Sequence, residues 1–357
     1  MAPPPIKPEL QPGAVRGRDP LRRTVGRLLD GRWARGQAAL PVTTPGRRPA
    51  APENLERNPS TGRRSVAPWP AASPSRHGGL GYPSHRTQPP LNPGRFSLYH
   101  ATMPTLLSLD DHLEAIARSG AALGAAAAAA GLEAKVPTCP AWNVTKLVLH
   151  QGMVHRWAAA NLRGEPDHDT TASQAEGKAA ASLLDWYTQG LAALVDTVRA
   201  TPADAKAMVF LRDAPPPRRF WARRQAHETT IHSVDAIAAR CRRWSTAADV
   251  AIDPMLAADG IDELLMGFIT RGKGQLHSAE PYTVLVRATD TGHAWTLRIS
   301  DGPILTTPGA IERPEVVFSG TAVQLYLSLW NRADEITTNG RSDLIDQWRK
   351  QIRIRWS

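Results

Sequence analysis

The sequence predicts an α+β protein: an all-α four-helix bundle, then a small α+β domain, with a long N-terminal segment belonging to neither. Three observations predict it. Composition changes abruptly near residue 102. Apolar residues recur every three to four positions from about 104 to 270, and alternate with period two from about 280 onward. A length of 357 residues gives room for about two domains with sizeable cores.

Residues 1–102 carry 16 Lys/Arg against 5 Asp/Glu and 18 of the 31 prolines. The rest of the chain is close to neutral, so the net charge of +10 belongs to this segment. It is not the signature of a nucleic-acid-binding domain. A stretch so rich in Pro and Arg buries too little apolar surface to offset its chain entropy, and the expectation is disorder. A basic arm and a targeting peptide are alternatives; the second lacks a continuous apolar h-region. Met103 is followed at once by Pro-Thr-Leu-Leu-Ser-Leu-Asp-Asp. The favoured reading is an inert tail, or upstream sequence ahead of a natural start at Met103. No run reaches the roughly 18 apolar residues of a membrane span. The two cysteines, Cys139 and Cys241, exclude a disulfide scaffold and a four-cysteine zinc site.

The helical region, about 104–270, opens with Ser108 and Asp111 at capping-box spacing. Leu109, Leu113, Ile116 and Leu123 follow, in a helix ending near Gly131. Val136-Pro-Thr-Cys-Pro-Ala-Trp142 is a rigid connector. Asn143 caps a second helix to about Leu162, and a third spans roughly Ser173 to Ala200. The third buries Leu183, Leu184, Tyr187, Leu191, Leu194 and Val195. After Pro215-Pro216-Pro217 a fourth helix runs from about Arg218 to Arg240, and a fifth from about Pro254 to Phe268. Short connections between antiparallel helices read as a bundle. In the C-terminal part, about 280–357, strands at Thr283–Thr289 and Ala294–Ser300 flank a turn at Asp290-Thr-Gly-His. A further strand lies at Pro314–Ser319. A helix from Gly320 and Thr321 ends near Arg332, and a last helix covers about Ser342 to Ile352. Hairpins followed by helices give an α+β domain.

The fourth helix carries the chemistry. At 100° per residue Trp221, Gln225, Glu228, His232, Asp235 and Ala239 share one face. Glu228 and His232 at i, i+4 offer carboxylate and imidazole to one point, a donor set that suits zinc and other first-row divalent ions. A third ligand must come from another helix. His150 and His155 on the second are both candidates, and geometry alone does not choose. The bland alternatives are a solvated Glu–His pair and core histidines bonded to carbonyls. His227 and His232 are five apart, so this is not the zinc-protease pair. Cys139 lacks an identifiable histidine partner and reads as a small structural residue.

Val136-Pro-Thr-Cys-Pro-Ala-Trp-Asn-Val-Thr-Lys-Leu-Val-Leu-His150, with Val154-His-Arg-Trp157, resembles the first signature of the mycothiol-dependent maleylpyruvate isomerase family. Trp221-Ala-Arg-Arg-Gln-Ala-His-Glu-Thr-Thr-Ile-His232-Ser-Val-Asp235 resembles its second. The resemblance covers about 104–357. It implies a DinB-like bundle, a small sterol-carrier-like C-terminal domain, and an actinobacterial, cytoplasmic protein. It also implies a divalent metal, typically zinc, held by His150, Glu228 and His232, and an arginine facing that cleft, matched here by Arg332. Two departures stand out: Ala141 and Asn331 occupy positions where the family usually has glycine.

Three protein ligands leave a position open on a four-coordinate ion, as in catalytic sites. The resemblance then implies mycothiol as thiol cosubstrate, bound as thiolate and attacking a small electrophile. The outcome would be cis–trans isomerisation or thiol transfer, as an isomerase or transferase. Arg332 would hold a substrate carboxylate, and Asp235 would orient a ligand. The alternative is a non-catalytic metal- or ligand-binding member. The expected partner is a small molecule, with no specific nucleic acid and no membrane. Substrate, metal identity and oligomeric state are not fixed by these motifs.

Overall fold

The computed structural model describes residues 107–354, except 166, 212 and 272–275. The expectations for residues 1–102 and for Met103 lie outside the described residues. Helix α1 spans Leu109–Ala130. Ser108 Oγ accepts from the Asp111 N–H at 3.1 Å, and the Asp111 carboxylate accepts from the Ser108 N–H at 2.8 Å, the expected reciprocal cap. The connector 131–143 closes on itself through Val136 N–H to Trp142 O, Cys139 N–H to Val136 O and Trp142 N–H to Cys139 O. Ala141 is exposed with an ordinary backbone, so it needs no glycine.

Helix α2 spans Val144–Leu162, capped by Asn143 as expected. The single helix expected over Ser173–Ala200 is two: α3, Thr170–Ala179, and α4, Leu183–Ala200. Ser182 breaks the run by accepting the Asp185 N–H at 3.2 Å, the same Ser-x-x-Asp spacing that starts α1. Tyr187, Leu191 and Leu194 are buried as expected; Leu183, Leu184 and Val195 are only half-buried. The unforeseen core residue is Trp186, whose ring fills the space over Gly152, where a Cβ would come within 2.2 Å of it.

Helix α5 spans Pro217–Cys241 and α6 spans Pro254–Asp262. Regular α geometry stops at Asp262, short of the expected Phe268, and a wide π-type turn follows over Glu263–Phe268. Helices α1, α2, α4 and α5 form the bundle, α1 lying against α4 and α5, and α2 likewise. Helix α5 is buried well beyond the face that carries Glu228 and His232: from Phe220 to Ala239 every residue is buried. A helix buried all round must pair its polar side chains with its neighbours.

The C-terminal part is a five-stranded sheet, β1 Tyr282–Ala288, β2 Ala294–Ile299, β3 Leu305–Pro308, β4 Val316–Gly320 and β5 Thr337–Asn339. The order is β3-β2-β1-β4-β5. β1 and β2 form the expected hairpin, with Tyr282 opposite Ile299, and β4 runs parallel to β1. The edge strands β3 and β5 were not expected: they are short and mostly exposed, so no apolar period marks them. Helix α7, Ala322–Leu329, lies against α6 and β4, and Trp348 of α8, Leu344–Gln351, meets Phe318 of β4 edge to face. Helix α7 ends three residues before Arg332. Asn331 N–H bonds Ser328 O and Arg332 N–H bonds Leu327 O, with Asn331 at φ 60°. That is a Schellman cap, whose left-handed residue is usually Gly and sometimes Asn. The Asn331 departure is therefore conformationally sound.

One apolar cluster runs from Leu113 in α1 to Trp348 in α8. A buried polar hub joins helices to sheet. Arg223 donates to Asp259 Oδ2 at 3.0 Å and to Asp262 Oδ2 at 3.1 Å. Asp262 Oδ1 accepts from the Trp295 indole of β2 at 2.9 Å. Tyr326 of α7 packs onto Gly260 of α6, where a Cβ would lie 2.3 Å from its ring. Gly260→Ala should therefore cost about 1–3 kcal/mol through overpacking. Urea unfolding checks this, and an unchanged midpoint would contradict the close approach of α6 and α7.

Candidate metal centre

Helix α5 carries Glu228 and His232 into the bundle interior, and α2 brings His150 opposite them. Glu228 is 2% exposed, His232 3% and His150 8%. Their ligand atoms all lie within 4.8 Å of one another. Glu228 Oε1 is 3.2 Å from His232 Nε2 and 3.5 Å from His150 Nε2. Both His150 Nε2 and Glu228 Oε1 are buried without a hydrogen-bond partner. Of the two histidines left open by the sequence, His150 joins the cluster. His155 does not: its Nε2 accepts from the Gln151 amide at 2.8 Å and the Thr229 hydroxyl at 3.0 Å.

Neighbours fix which atoms face inward. His232 Nδ1–H donates to Asp235 Oδ2 at 2.9 Å, so its Nε2 faces Glu228. Arg224 Nη2 donates to Glu228 Oε2 at 3.2 Å, which leaves Oε1 for the histidines. Three potential ligand atoms thus converge on one buried point. Such a point seats positive charge, either a proton or a cation. The residues fit a divalent ion. Burial opposes a charge on His232, but the Asp235 and Glu228 carboxylates lift it to about 9 in the absence of metal. Burial would raise Glu228; the two histidines and Arg224 outweigh it and hold the carboxyl well below its ordinary range.

Asp235 is also bonded by Thr138 Oγ1 at 2.5 Å and by Arg332, through Nε at 2.7 Å and Nη2 at 3.1 Å. Arg332 Nη1 donates to Trp330 O at 2.9 Å. The arginine reaches the site as expected, with its fork closed on Asp235. Cys139 Sγ lies 3.7 Å from Arg332 Nη2 and 3.8 Å from Asp235 Oδ2. Burial, then the Asp235 charge, push its thiol up to about 12, which disfavours the thiolate. Trp142 covers the pair of histidines, its ring 5.0 Å from that of His150 and stacked 5.8 Å from that of His232.

Sequence reasoning missed four contributors. Arg224 stands i, i+4 from Glu228, a visible signal. Thr138 and Trp142 lie in the first signature but carry no chemistry by spacing. Glu263, which bonds Arg224 from the wide turn after α6, has no local signal.

A second group, His112, His227 and Asp259, is fully buried in the polar hub. Its chemistry differs. Asp259 Oδ2 accepts from His112 Nε2 at 3.0 Å, His227 Nε2 at 2.9 Å and Arg223 Nε. Tyr326 OH lies 3.3 Å from His227 Nδ1 and satisfies that nitrogen. Asp259 Oδ2 already takes three donors, one of them cationic, so the group is an ion-paired hub.

Two family models match the chain: the mycothiol maleylpyruvate isomerase N-terminal domain over residues 113–237, and the MDMPI C-terminal domain over residues 255–347. The chain belongs to the mycothiol-dependent maleylpyruvate isomerase family. Two solved structures are also similar, a mycothiol-dependent maleylpyruvate isomerase at 15% identity and TM-score 0.44, and a point mutant of such an enzyme at 14% and 0.46. Each comparison covers 65% of this chain and 93% of the other. No curated protein matches. Among the described residues no helix is long and apolar enough to cross a membrane.

In this family member His155 is a buried neutral group whose ionisation burial holds down to about 3. The unfolded chain takes up a proton below about 6.5 that the folded chain refuses. Its contribution is therefore complete above pH 6.5 and shrinks as pH falls towards 3, by about 1.4 kcal/mol per unit well inside that window. His155→Gln should flatten the pH 4–7 dependence of urea-unfolding stability. An equally steep dependence in the variant would remove His155 as its source.

Proposed function

We propose that the chain is a divalent-metal enzyme, with zinc as the preferred ion, that uses mycothiol on a small electrophilic substrate. The observation that carries the reading is the convergence of His150 Nε2, Glu228 Oε1 and His232 Nε2 on one buried point, the first two without a hydrogen-bond partner. A donor set of two imidazoles and one carboxylate suits zinc. The thiol and the substrate class come from the family, and cis–trans isomerisation and thiol transfer are the two reactions that fit.

A bound divalent ion supplies Lewis acidity, lowering the pKa of a thiol or water at its open position. The chain's own residues do the rest. Asp235 keeps the His232 proton on Nδ1, so that Nε2 faces inward. Arg224 holds Glu228 Oε2. The indole of Trp142 lies across the histidine pair and restricts water there. Arg332 braces Asp235 with its fork, so its effect on substrate runs through that carboxylate and the guanidinium edge still exposed. That closed fork favours a second reading, a metal-binding member without turnover. Two unpaired cysteines accord with a reducing cytoplasm.

Elemental analysis of the purified full chain should give about one zinc-like ion per chain. His150→Ala, Glu228→Ala and His232→Ala should abolish it, and His155→Ala should retain it. Retention by Glu228→Ala would remove this site from consideration. Mycothiol-dependent turnover of maleylpyruvate or another electrophile supports the enzyme; metal without turnover leaves the binding member. Arg332→Met should lower metal affinity about tenfold by freeing Asp235, whereas a pure substrate clamp would alter KM alone.

A further inference from the structure

Glu228 is flanked by a buried chain of charges that the metal reading does not by itself require. Arg224, one turn before it on α5, donates Nη2 to Glu228 Oε2 and Nη1 to Glu263. All three side chains are 1–2% exposed. Glu263 is the first residue of the wide turn that interrupts the helix after α6. Such widened turns recur at functional sites, where they re-aim a side chain. Here the turn delivers a second carboxylate to the far side of the guanidinium. The next α5 residue back, Arg223, is fixed separately by Asp259 and Asp262 of α6. The same stretch of chain therefore holds both arginines, and α5 cannot slide relative to α6 without breaking both sets of bonds.

We propose that the Arg224–Glu263 pair is a positioning device: it restrains Glu228 to a single inward-facing oxygen and so sets the coordination number and affinity of the cation site. The inference rests on the metal reading above. Two physical effects produce it. The arginine occupies Oε2, so the carboxylate cannot turn both oxygens to the ion, and open positions remain for thiol or substrate. Glu263 balances the guanidinium charge, so Arg224 draws less on Glu228, which stays a strong anionic donor. Asp235 and Thr138 hold His232 in the same way from the opposite side, and those contacts are untouched by changes at residue 263.

The test uses the full chain loaded with cobalt(II), whose visible absorption is intense in four-coordinate sites and weak in six-coordinate ones. Glu263→Gln keeps the shape and an acceptor for Arg224 and removes only charge. It should weaken cobalt affinity about 10- to 100-fold in chelator competition. Arg224→Lys keeps the charge and loses the fork; it should free Oε2 and reduce the absorption intensity. Wild-type affinity and spectrum in both variants would overturn the positioning role while leaving the metal site intact. No cobalt binding by the wild-type chain would overturn the metal reading itself. Should both variants fail to fold, X-ray absorption of the cobalt-loaded wild type decides. One carboxylate oxygen on the ion is expected; two would overturn the proposal.

Discussion

The two oxygens of Glu228 have opposite partners, and the site follows from that division. One is held by Arg224; the other faces the imidazoles of His150 and His232. In a helix buried on all sides, a carboxylate must have its charge compensated. Arg224 supplies half of that compensation. The other half is left to whatever positive charge occupies the point between Oε1, His150 and His232. The contrast with Asp259 is instructive. That carboxylate has two histidines at similar distances, yet Arg223 and both imidazole N–H groups point at it. The same residue types give an arginine-paired hub in one place and, in the other, a carboxylate oxygen left to two imidazoles.

That arrangement depends on the fold around α5. Asp235 fixes one face of His232, and Asp235 is itself held by residues from both ends of the described chain: Thr138 in the connector after α1, and Arg332 after α7. The Schellman cap at Asn331 turns the chain so that the Arg332 side chain enters the helical region. The sheet and its helices are therefore structurally part of the site. They also reach it through Trp295, whose indole anchors Asp262 beside Arg223.

Much of this was legible in the sequence where the cause is local. Ser108, Asn143 and Thr321 cap the helices they were expected to start, and β1 and β2 show their period because one hairpin sets it. His150, Glu228 and His232 come together as the family resemblance implied, and spacing alone had given only the last two. What the sequence hid is set by long-range packing. Ser182 divides a helix whose apolar pattern runs on, and β3 and β5 pair at edges without burying a face. The wheel of α5 implied a polar stripe, but its other face is buried too. Glu263 lies 39 residues from Arg224 in the chain, with no motif linking them.

On this account, the cation seat among the described residues lies between His150, Glu228 and His232, while Arg223 neutralises Asp259 in the His112 and His227 hub. The most direct measurement is an anomalous difference map from a crystal of the full chain grown with zinc. The account predicts one strong peak among His150 Nε2, His232 Nε2 and Glu228 Oε1, with Arg224 still on Oε2. A peak at Asp259, or none between the histidines of α2 and α5, would contradict it.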